Sequence, residues 1–227
     1  MSEPLFVFRG IEKSFAKNKI LRKVDLFLYP AKCILLSGKN GSGKTTLLKI
    51  VAGLEKPAEA EIEYSGKSLS WKKAIRNILK EIIYLHQQPL LFSGSVESNV
   101  AYGLRFTSLN RKQRRESVIK ALEWSGLTDL ANIQANTLSG GVQQRVAFTR
   151  AWILKPKVLL LDEPMSNMDH ESREQARLLL CRMKSAGMSI VITSHVPQYF
   201  DGLTDVQFHL SNGQLAESKF SASNDSL

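Results

Sequence analysis

The sequence predicts an α/β fold: a mixed, largely parallel sheet covered by helices, with an antiparallel β-subdomain beside it and an inserted helical subdomain. Three observations predict it. Four runs, Cys33–Leu36, Ile82–Leu85, Val158–Leu161 and Ile190–Thr193, are apolar without alternation, as strands buried on both faces of a parallel sheet must be. Leu5–Phe8, Arg22–Leu28 and Glu61–Tyr64 instead alternate, as strands with one wet face do. The long stretch between Gln88 and Pro156 carries helical rather than strand spacing.

Taken in order, Leu5–Phe8 and Arg22–Leu28 read as antiparallel neighbours joined through a polar loop at Lys17–Lys19. Cys33–Leu36 runs into a glycine-rich loop and then into Leu47–Val51, whose apolar spacing suits a helix that stops at Gly53. Arg111–Trp124 places Val118, Ile119 and Leu122 on one helix side and ends at Gly126, with Asn110 and Gln113 resembling a capping box at its start. Ser139 is a candidate N-cap for a helix that carries Val142, Val146 and Ala147 inward and finishes before Pro156. A further helix begins after Asp169, buries Leu179, Leu180 and Met183, and stops at Gly187. Phe208–Leu210 and Gln214–Ala216 flank Ser211-Asn212-Gly213, a hairpin signal. Ser221–Leu227 read as disordered. The 227 residues suffice for one domain with a subdomain or for two small domains.

The net charge of +10 makes an anionic partner worth considering: nucleic acid, lipid headgroups or simply a nucleotide. The dense cationic cluster is Arg111, Lys112, Arg114 and Arg115. It sits where the helix dipole disfavours positive charge, so helix stability does not explain it. A solvated face and attraction to headgroups both remain as readings. Cys33 and Cys181 have neither metal spacing nor a disulfide framework and read as packing residues. No apolar run approaches the roughly 18 residues a bilayer span needs, and Met1–Pro4 does not open like a signal peptide. The expectation is a soluble chain on the cytoplasmic side.

Three segments carry chemistry. In Gly38-Lys39-Asn40-Gly41-Ser42-Gly43-Lys44-Thr45-Thr46, between strand and helix, the glycines let backbone N–H groups converge on an anion, aided by the helix dipole. Lys44 can reach terminal phosphates, and Thr45 can offer its hydroxyl to magnesium. Val158-Leu159-Leu160-Leu161-Asp162-Glu163 ends a buried strand on two carboxylates, at the sheet edge where ligands of parallel sheets collect. Asp162 can belong to the magnesium shell, and Glu163 can orient or deprotonate an attacking water. Leu138-Ser139-Gly140-Gly141-Val142 opens a helix with exposed N–H groups and a hydroxyl but no lysine, a second anion site. Two phosphate-binding helix starts in one chain suggest two copies sharing a nucleotide.

With these segments in place the sequence resembles the nucleotide-binding ATPase subunit of an ATP-binding cassette (ABC) transporter, over nearly the whole chain. Gly38–Thr45 matches the Walker A loop, Val158–Glu163 the Walker B strand and Leu138–Val142 the signature. Gln87 falls at the Q-loop glutamine, Ser166–Asp169 at the D-loop and His195, after Ser194, at the switch histidine. Phe15 sits where an aromatic ring usually stacks on adenine. The resemblance implies a P-loop NTPase fold of the ABC type in a single domain, 1–227. Its core and β-subdomain would take about 1–87 and 157–220, and the helical subdomain about 88–156. It also implies a head-to-tail dimer closing on two ATP molecules with Mg2+. Each ATP would lie between Phe15 and the Walker A residues Gly38, Asn40, Gly41, Ser42, Gly43, Lys44, Thr45 and Thr46 of one copy, and Ser139, Gly140, Gly141 and Asp169 of the other. Thr45, Gln87 and Asp162 would surround the metal. Glu163, His195 and Gln87 would serve hydrolysis, with Gln87 also linking the site to a membrane partner.

Each of these residues has a plainer reading. His195 can be a structural histidine, Asp169 an N-cap, Gln87 a loop amide interchangeable with Gln88, and Phe15 a core residue. The chain departs from the family pattern at Val142, where glutamine is common, at Met168, where leucine is usual, and at Met165, where threonine is frequent. The absence of fused transmembrane helices, of a second cassette and of a trailing regulatory domain points to a separate importer subunit, peripheral on the cytoplasmic face of the plasma membrane. Its partners would be a permease, a second copy of itself and an extracytoplasmic solute-binding protein, with no direct nucleic-acid partner. Leu90–Val96 and Asn99–Arg105 are similar to oxyanion importers, tungstate systems first, and would form a groove for a permease helix with Phe92 and Val96 as apolar contacts. The rival class is a soluble ABC-type ATPase acting on nucleic acid or the ribosome.

Overall fold

The computed structural model describes residues 3–218, so the Ser221–Leu227 tail lies outside the described residues. Two sheets organise the chain. The first holds β1 (Phe6–Phe15), β2 (Asn18–Leu28), β4 (Glu59–Tyr64) and β5 (Lys67–Leu69) in the order β2-β1-β4-β5, antiparallel throughout. The second holds β3 (Cys33–Ser37), β6 (Ile82–Leu85), β7 (Val158–Asp162), β8 (Ser189–Thr193), β9 (Val206–Ser211) and β10 (Gln214–Ser218). Its order is β10-β9-β3-β8-β7-β6, parallel except for the β9–β10 hairpin. The hairpin turns at Asn212 and Gly213, both at positive φ, the geometry two-residue hairpin loops need.

Three of the four apolar runs, β3, β7 and β8, are central strands buried on both faces, which explains why they do not alternate, whereas β6 is the sheet's edge strand, with Ile83 and Tyr84 only partly buried. Leu160 and Val191 pack on the side of α1 (Lys44–Val51) and the antiparallel sheet, with Phe6, Phe8 and Leu47. Leu159, Leu161, Ile190 and Ile192 point the other way, onto α5 (Gly140–Trp152) and α6 (His170–Ser185) through Phe148, Leu180 and Met183. A third cluster joins α3 (Val96–Ala101), α4 (Arg111–Ser125) and α5 through Val100, Val118, Leu122 and Val146. The Trp124 and Trp152 rings stack 4.3 Å apart where α4 and α5 end. Cys33 is fully buried, which pushes its thiol up to about 12 and leaves it inert. Cys181 is only partly covered.

Several expectations change. The first hairpin has no loop over Lys17–Lys19: pairing continues to Phe15–Asn18, leaving only Ala16 and Lys17 as the turn. The sequence reading assigns no element to Trp71–Glu81, which is a helix, α2, whose buried side is carried by Ala74 and Ile78, four apart. Asn110 and Gln113 do form the capping box, with bonds of 2.9 and 3.0 Å. Ile119, however, faces solvent, since α4 buries Val118, Ala121, Leu122 and Ser125 instead. Arg114 is also not a free surface cation: it donates to the Thr107 carbonyl.

Val96 is wholly buried and cannot be a contact for a partner. The segment it follows is held by Asn99, equally buried. Asn99 accepts from the Phe92 N–H at 2.8 Å and donates to the Phe92 and Ser95 carbonyls at 3.0 Å. One side chain thus fixes the backbone that presents Phe92. Asn99→Ala should lower unfolding free energy by about 2–3 kcal/mol, because the paired backbone groups lose their partner in a dry site. Denaturant unfolding measures it, and a loss below about 0.5 kcal/mol would contradict the assignment.

Candidate functional site

Parallel pairing aligns the carboxyl ends of β3, β6, β7 and β8 along one edge of the sheet, and the loops carrying the glycine motif, Gln87, Asp162–Glu163 and His195 leave from there. β3 feeds the glycine loop, β6 leads to Gln87, β7 ends on Asp162 before Glu163, and β8 runs to Ser194 and His195. A cavity of about 440 Å3 opens at this edge. The glycine loop contributes Asn40, Gly41, Gly43, Lys44, Thr45 and Thr46 to its wall, and the facing loops contribute Gln87, Asp162, Glu163 and His195. Phe15 and Ile20 close its apolar end. Phe15 is 48% exposed with the Lys13 ammonium 5.0 Å over its ring, so it is not a core residue. A larger hollow of about 790 Å3 lies beside Lys39 and Ser42, and Asn40 and Gly41 border both.

The glycine loop has no room for side chains at its start. Gly38 has φ 146°, and a Cβ there would lie 2.4 Å from the Leu210 carbonyl oxygen. Lys44 is buried and turns its ammonium onto the loop's own carbonyls, Gly38 at 2.7 Å and Lys39 at 3.2 Å. Ser42 Oγ is shielded and has no hydrogen-bond partner among the described residues. A cation held against the loop, hydroxyls on its helix and carboxylates opposite form a donor set that fits a triphosphate with a hard divalent ion. The hydroxyl of Thr45, the amide oxygen of Gln87 and the carboxylate of Asp162 meet on that one cavity and supply only oxygen donors, which fits Mg2+.

The two carboxylates stand in different surroundings. Asp162 is 4% exposed and both its oxygens are engaged: Thr193 Oγ1 donates to Oδ1 at 2.6 Å, and the Tyr84 hydroxyl donates to Oδ2 at 3.0 Å. Burial, with the Asp162 charge beside it, pushes the Tyr84 phenol well above its usual range, so it remains a donor. Glu163 has φ 47°, a left-handed backbone rare for a residue with a side chain. Its N–H donates to both the carbonyl and the hydroxyl of Thr193, and its Oε2 meets His195 Nδ1 at 2.9 Å. Gln87 donates to Ser166 Oγ at 3.2 Å. Ser166 enters the sequence reading only as part of the D-loop, and Tyr84 and Thr193 carry no site role there. The signal for these two is the strand register: Thr193 pairs with Asp162 across β7 and β8, and Tyr84 pairs with Leu160, two residues back on the same face.

Ser139, Gly140, Gly141 and Asp169 do not line this cavity. Gly140 borders a separate hollow of about 260 Å3 that Gln87, Gln143 and Ser166 share. Ser139 occupies the N-cap position of α5, but its side chain makes no capping bond, contrary to the expectation from sequence. Asp169 does cap α6, accepting from the Ser172 N–H at 2.7 Å. A Cβ at Gly141 would lie 2.3 Å from Ser172 Oγ, so close packing of α5 on α6 requires glycine there, whatever anion it also serves. Of the departures, Val142 packs on the helical cluster while Gln143 donates to the Leu138 carbonyl at 2.9 Å. Met165 is buried against the α5–α6 side of the sheet, which gives it a packing role.

A family model described as ABC transporter matches residues 21–166. Among curated proteins, the Fe(3+) ions import ATP-binding protein FbpC of Mannheimia succiniciproducens is 38% identical over 197 residues, 85% of this chain and 54% of that protein. The Haemophilus influenzae protein Fe(3+) ions import ATP-binding protein FbpC 1 is 34% identical over 93% of this chain and 64% of its own length. The spermidine/putrescine import ATP-binding protein PotA of Marinobacter nauticus is 34% identical over 96% and 58%. The chain thus spans about half to two thirds of the length of the curated relatives it matches. Among solved structures, cbiO1 from Clostridium perfringens, described as part of the ABC transporter complex cbiONQ, matches with a TM-score of 0.84 and 27% identity. That match covers 95% of this chain and 88% of cbiO1.

Proposed function

The chain belongs to the ABC transporter family, and from that membership we propose that it is the ATP-hydrolysing subunit of an importer, driving a small solute through a separate membrane permease. The observation that carries this reading is the convergence of the glycine loop, Asp162, Glu163, Gln87 and His195 on one cavity at one sheet edge. ATP is the substrate, and Mg2+, when bound, neutralises phosphate charge and orients the terminal phosphate. Lys44 and the loop N–H groups grip the phosphates, Phe15 offers a ring face to the base, and Thr45, Asp162 and Gln87 hold the metal. Glu163 takes the proton of the attacking water, and His195, in contact with Glu163, orients it.

Ser139, Gly140 and Gly141, away from this cavity, would serve the nucleotide of a second copy, and Asp169 would lie at that interface. Phe92, 45% exposed and stacked on Tyr102, is the apolar contact left for a permease helix once Val96 is withdrawn. Among the described residues no helix is long and apolar enough to cross a membrane, and the chain would attach peripherally through that permease, on the cytoplasmic face. A solute-binding protein would complete the system. The cargo is proposed only as a small charged solute. Two of the named relatives are described as Fe(3+) ions import ATP-binding proteins and one as a spermidine/putrescine import ATP-binding protein, and the oxyanion likeness of Leu90–Val96 and Asn99–Arg105 lies in a segment proposed to meet a permease rather than a cargo.

Two measurements test this. Purified protein should release phosphate from ATP with Mg2+ and stop on adding EDTA. From cells expressing a tagged chain, a multi-span membrane protein should co-purify. Recovery of RNA or ribosomes instead, lost at high salt, would favour the non-transport ATPase that the basic charge also suits.

A further inference from the structure

We propose that Thr193 and Tyr84 are positioning residues that set the two carboxylates of the site, Thr193 tying the metal-holding Asp162 to the water-handling Glu163. The proposal rests on the roles of Asp162 and Glu163 given above.

Thr193 stands opposite Asp162 in the β7–β8 register, so its side chain emerges beside the carboxylate. A hydroxyl has one proton to give and lone pairs to accept with. Here the proton goes to Asp162 Oδ1 at 2.6 Å, and the oxygen accepts the Glu163 N–H at 3.0 Å. One rotor therefore fixes the carboxylate at the end of β7 and the backbone of the residue after it. A β-branched side chain inside a strand is stiff about its first torsion, and Thr193 is fully buried, so the rotor has little freedom to drift. Glu163 needs such a tie, because its φ of 47° is unfavourable for a residue with a Cβ and persists only where its surroundings hold it.

Tyr84 completes the arrangement from the other neighbour strand, β6, by donating to Asp162 Oδ2 at 3.0 Å. With one donor on each oxygen, the carboxylate cannot turn about its last torsion, and each oxygen keeps lone-pair capacity for a cation. His195 lies two residues beyond Thr193 and meets the Glu163 carboxylate. The Thr193 strand thus reaches Glu163 at both its backbone and its side chain.

A valine at 193 keeps the shape and removes only the hydroxyl, leaving Asp162 Oδ1 without its donor in a nearly closed site. Partners that orient a metal-holding carboxylate typically contribute roughly 10- to 100-fold to metal affinity or activity. For Thr193→Val, the Mg2+ concentration giving half-maximal ATP hydrolysis should therefore rise by about that factor. Equilibrium binding of a fluorescent ATP analogue should weaken with Mg2+ and remain unchanged in EDTA. Thr193→Ser should restore both, and Tyr84→Phe should shift both in the same direction by a smaller factor.

A purely structural role would lower the melting temperature without moving the Mg2+ midpoint, and that result overturns the proposal. So do wild-type midpoints and binding in both Thr193→Val and Tyr84→Phe when Asp162→Asn has lost its Mg2+ dependence. Were Asp162→Asn to keep that dependence, the fault would lie with the carboxylate reading itself, and the proposal would fall with it. If Thr193→Val does not fold, Tyr84→Phe decides on the same two readouts.

Discussion

Glu163→Gln should lower ATP turnover by at least about 100-fold, the lower end of what a positioned general base contributes, while leaving nucleotide binding intact. The amide has the carboxylate's shape but cannot take a proton from water. It does not disturb the strained backbone at φ 47°, which is held by the N–H bonds to Thr193 rather than by the side chain. Only the contacts of Oε2 with His195, at Nδ1 and at the backbone N–H, change character, from a carboxylate oxygen to an amide. Because hydrolysis is the step that reopens the proposed dimer, the variant should also accumulate as an ATP-bound dimer. Phosphate release and size-exclusion chromatography with and without Mg·ATP measure the two halves. Turnover within about tenfold of wild type would remove Glu163 from the base role.

The strands at the centre of the site were the easiest part of the fold to read. Val158–Asp162 and Ser189–Thr193 are buried on both faces, so their sequences carry unbroken apolar runs that only a covered parallel sheet accommodates. The glycine loop was legible for a different reason: Gly38 meets the Leu210 carbonyl so closely that no other residue fits. What escaped depends on pairing between distant segments. Tyr84 and Thr193 look like ordinary strand residues until the register sets them beside Asp162, and nothing local encodes that register.

The same limit explains the helices. α2 buries only Ala74 and Ile78 among three lysines and an arginine, a signal thin enough to pass for a linker. Ile119 and Val118 are adjacent in sequence, and apolar spacing alone did not show which of them α4 would bury. The sequence reads Val96 together with Phe92 as apolar contacts of one groove. The structure separates the two through Asn99, whose three bonds lift the Phe92 segment away from the cluster that Val96 joins.

Mixing two inactive variants should restore activity, the least intuitive consequence of the proposed shared site. Lys44→Ala removes the cation that the loop holds at 2.7 Å from Gly38. Ser139→Glu places a carboxylate at the start of α5, opposite the partner's phosphates, where like charge repels. Each variant alone should fall by at least about 100-fold, since every site in its dimer lacks one essential group. In a mixed dimer the Lys44→Ala loop faces the Ser139→Glu segment, concentrating both defects in one site and leaving the other complete. Equal mixing makes half the dimers mixed, each with one intact site of two, so recovered turnover should approach about a quarter of wild type if sites work independently. Stricter coupling between the two sites would reduce that figure. A mixture no more active than its components, under conditions where exchange into mixed dimers is shown by tagged copies, would exclude catalysis by a single composite site. Ser139 lies outside the cavity that Lys44 lines, so the two substitutions cannot meet within one copy. Complementation therefore reports on the interface alone.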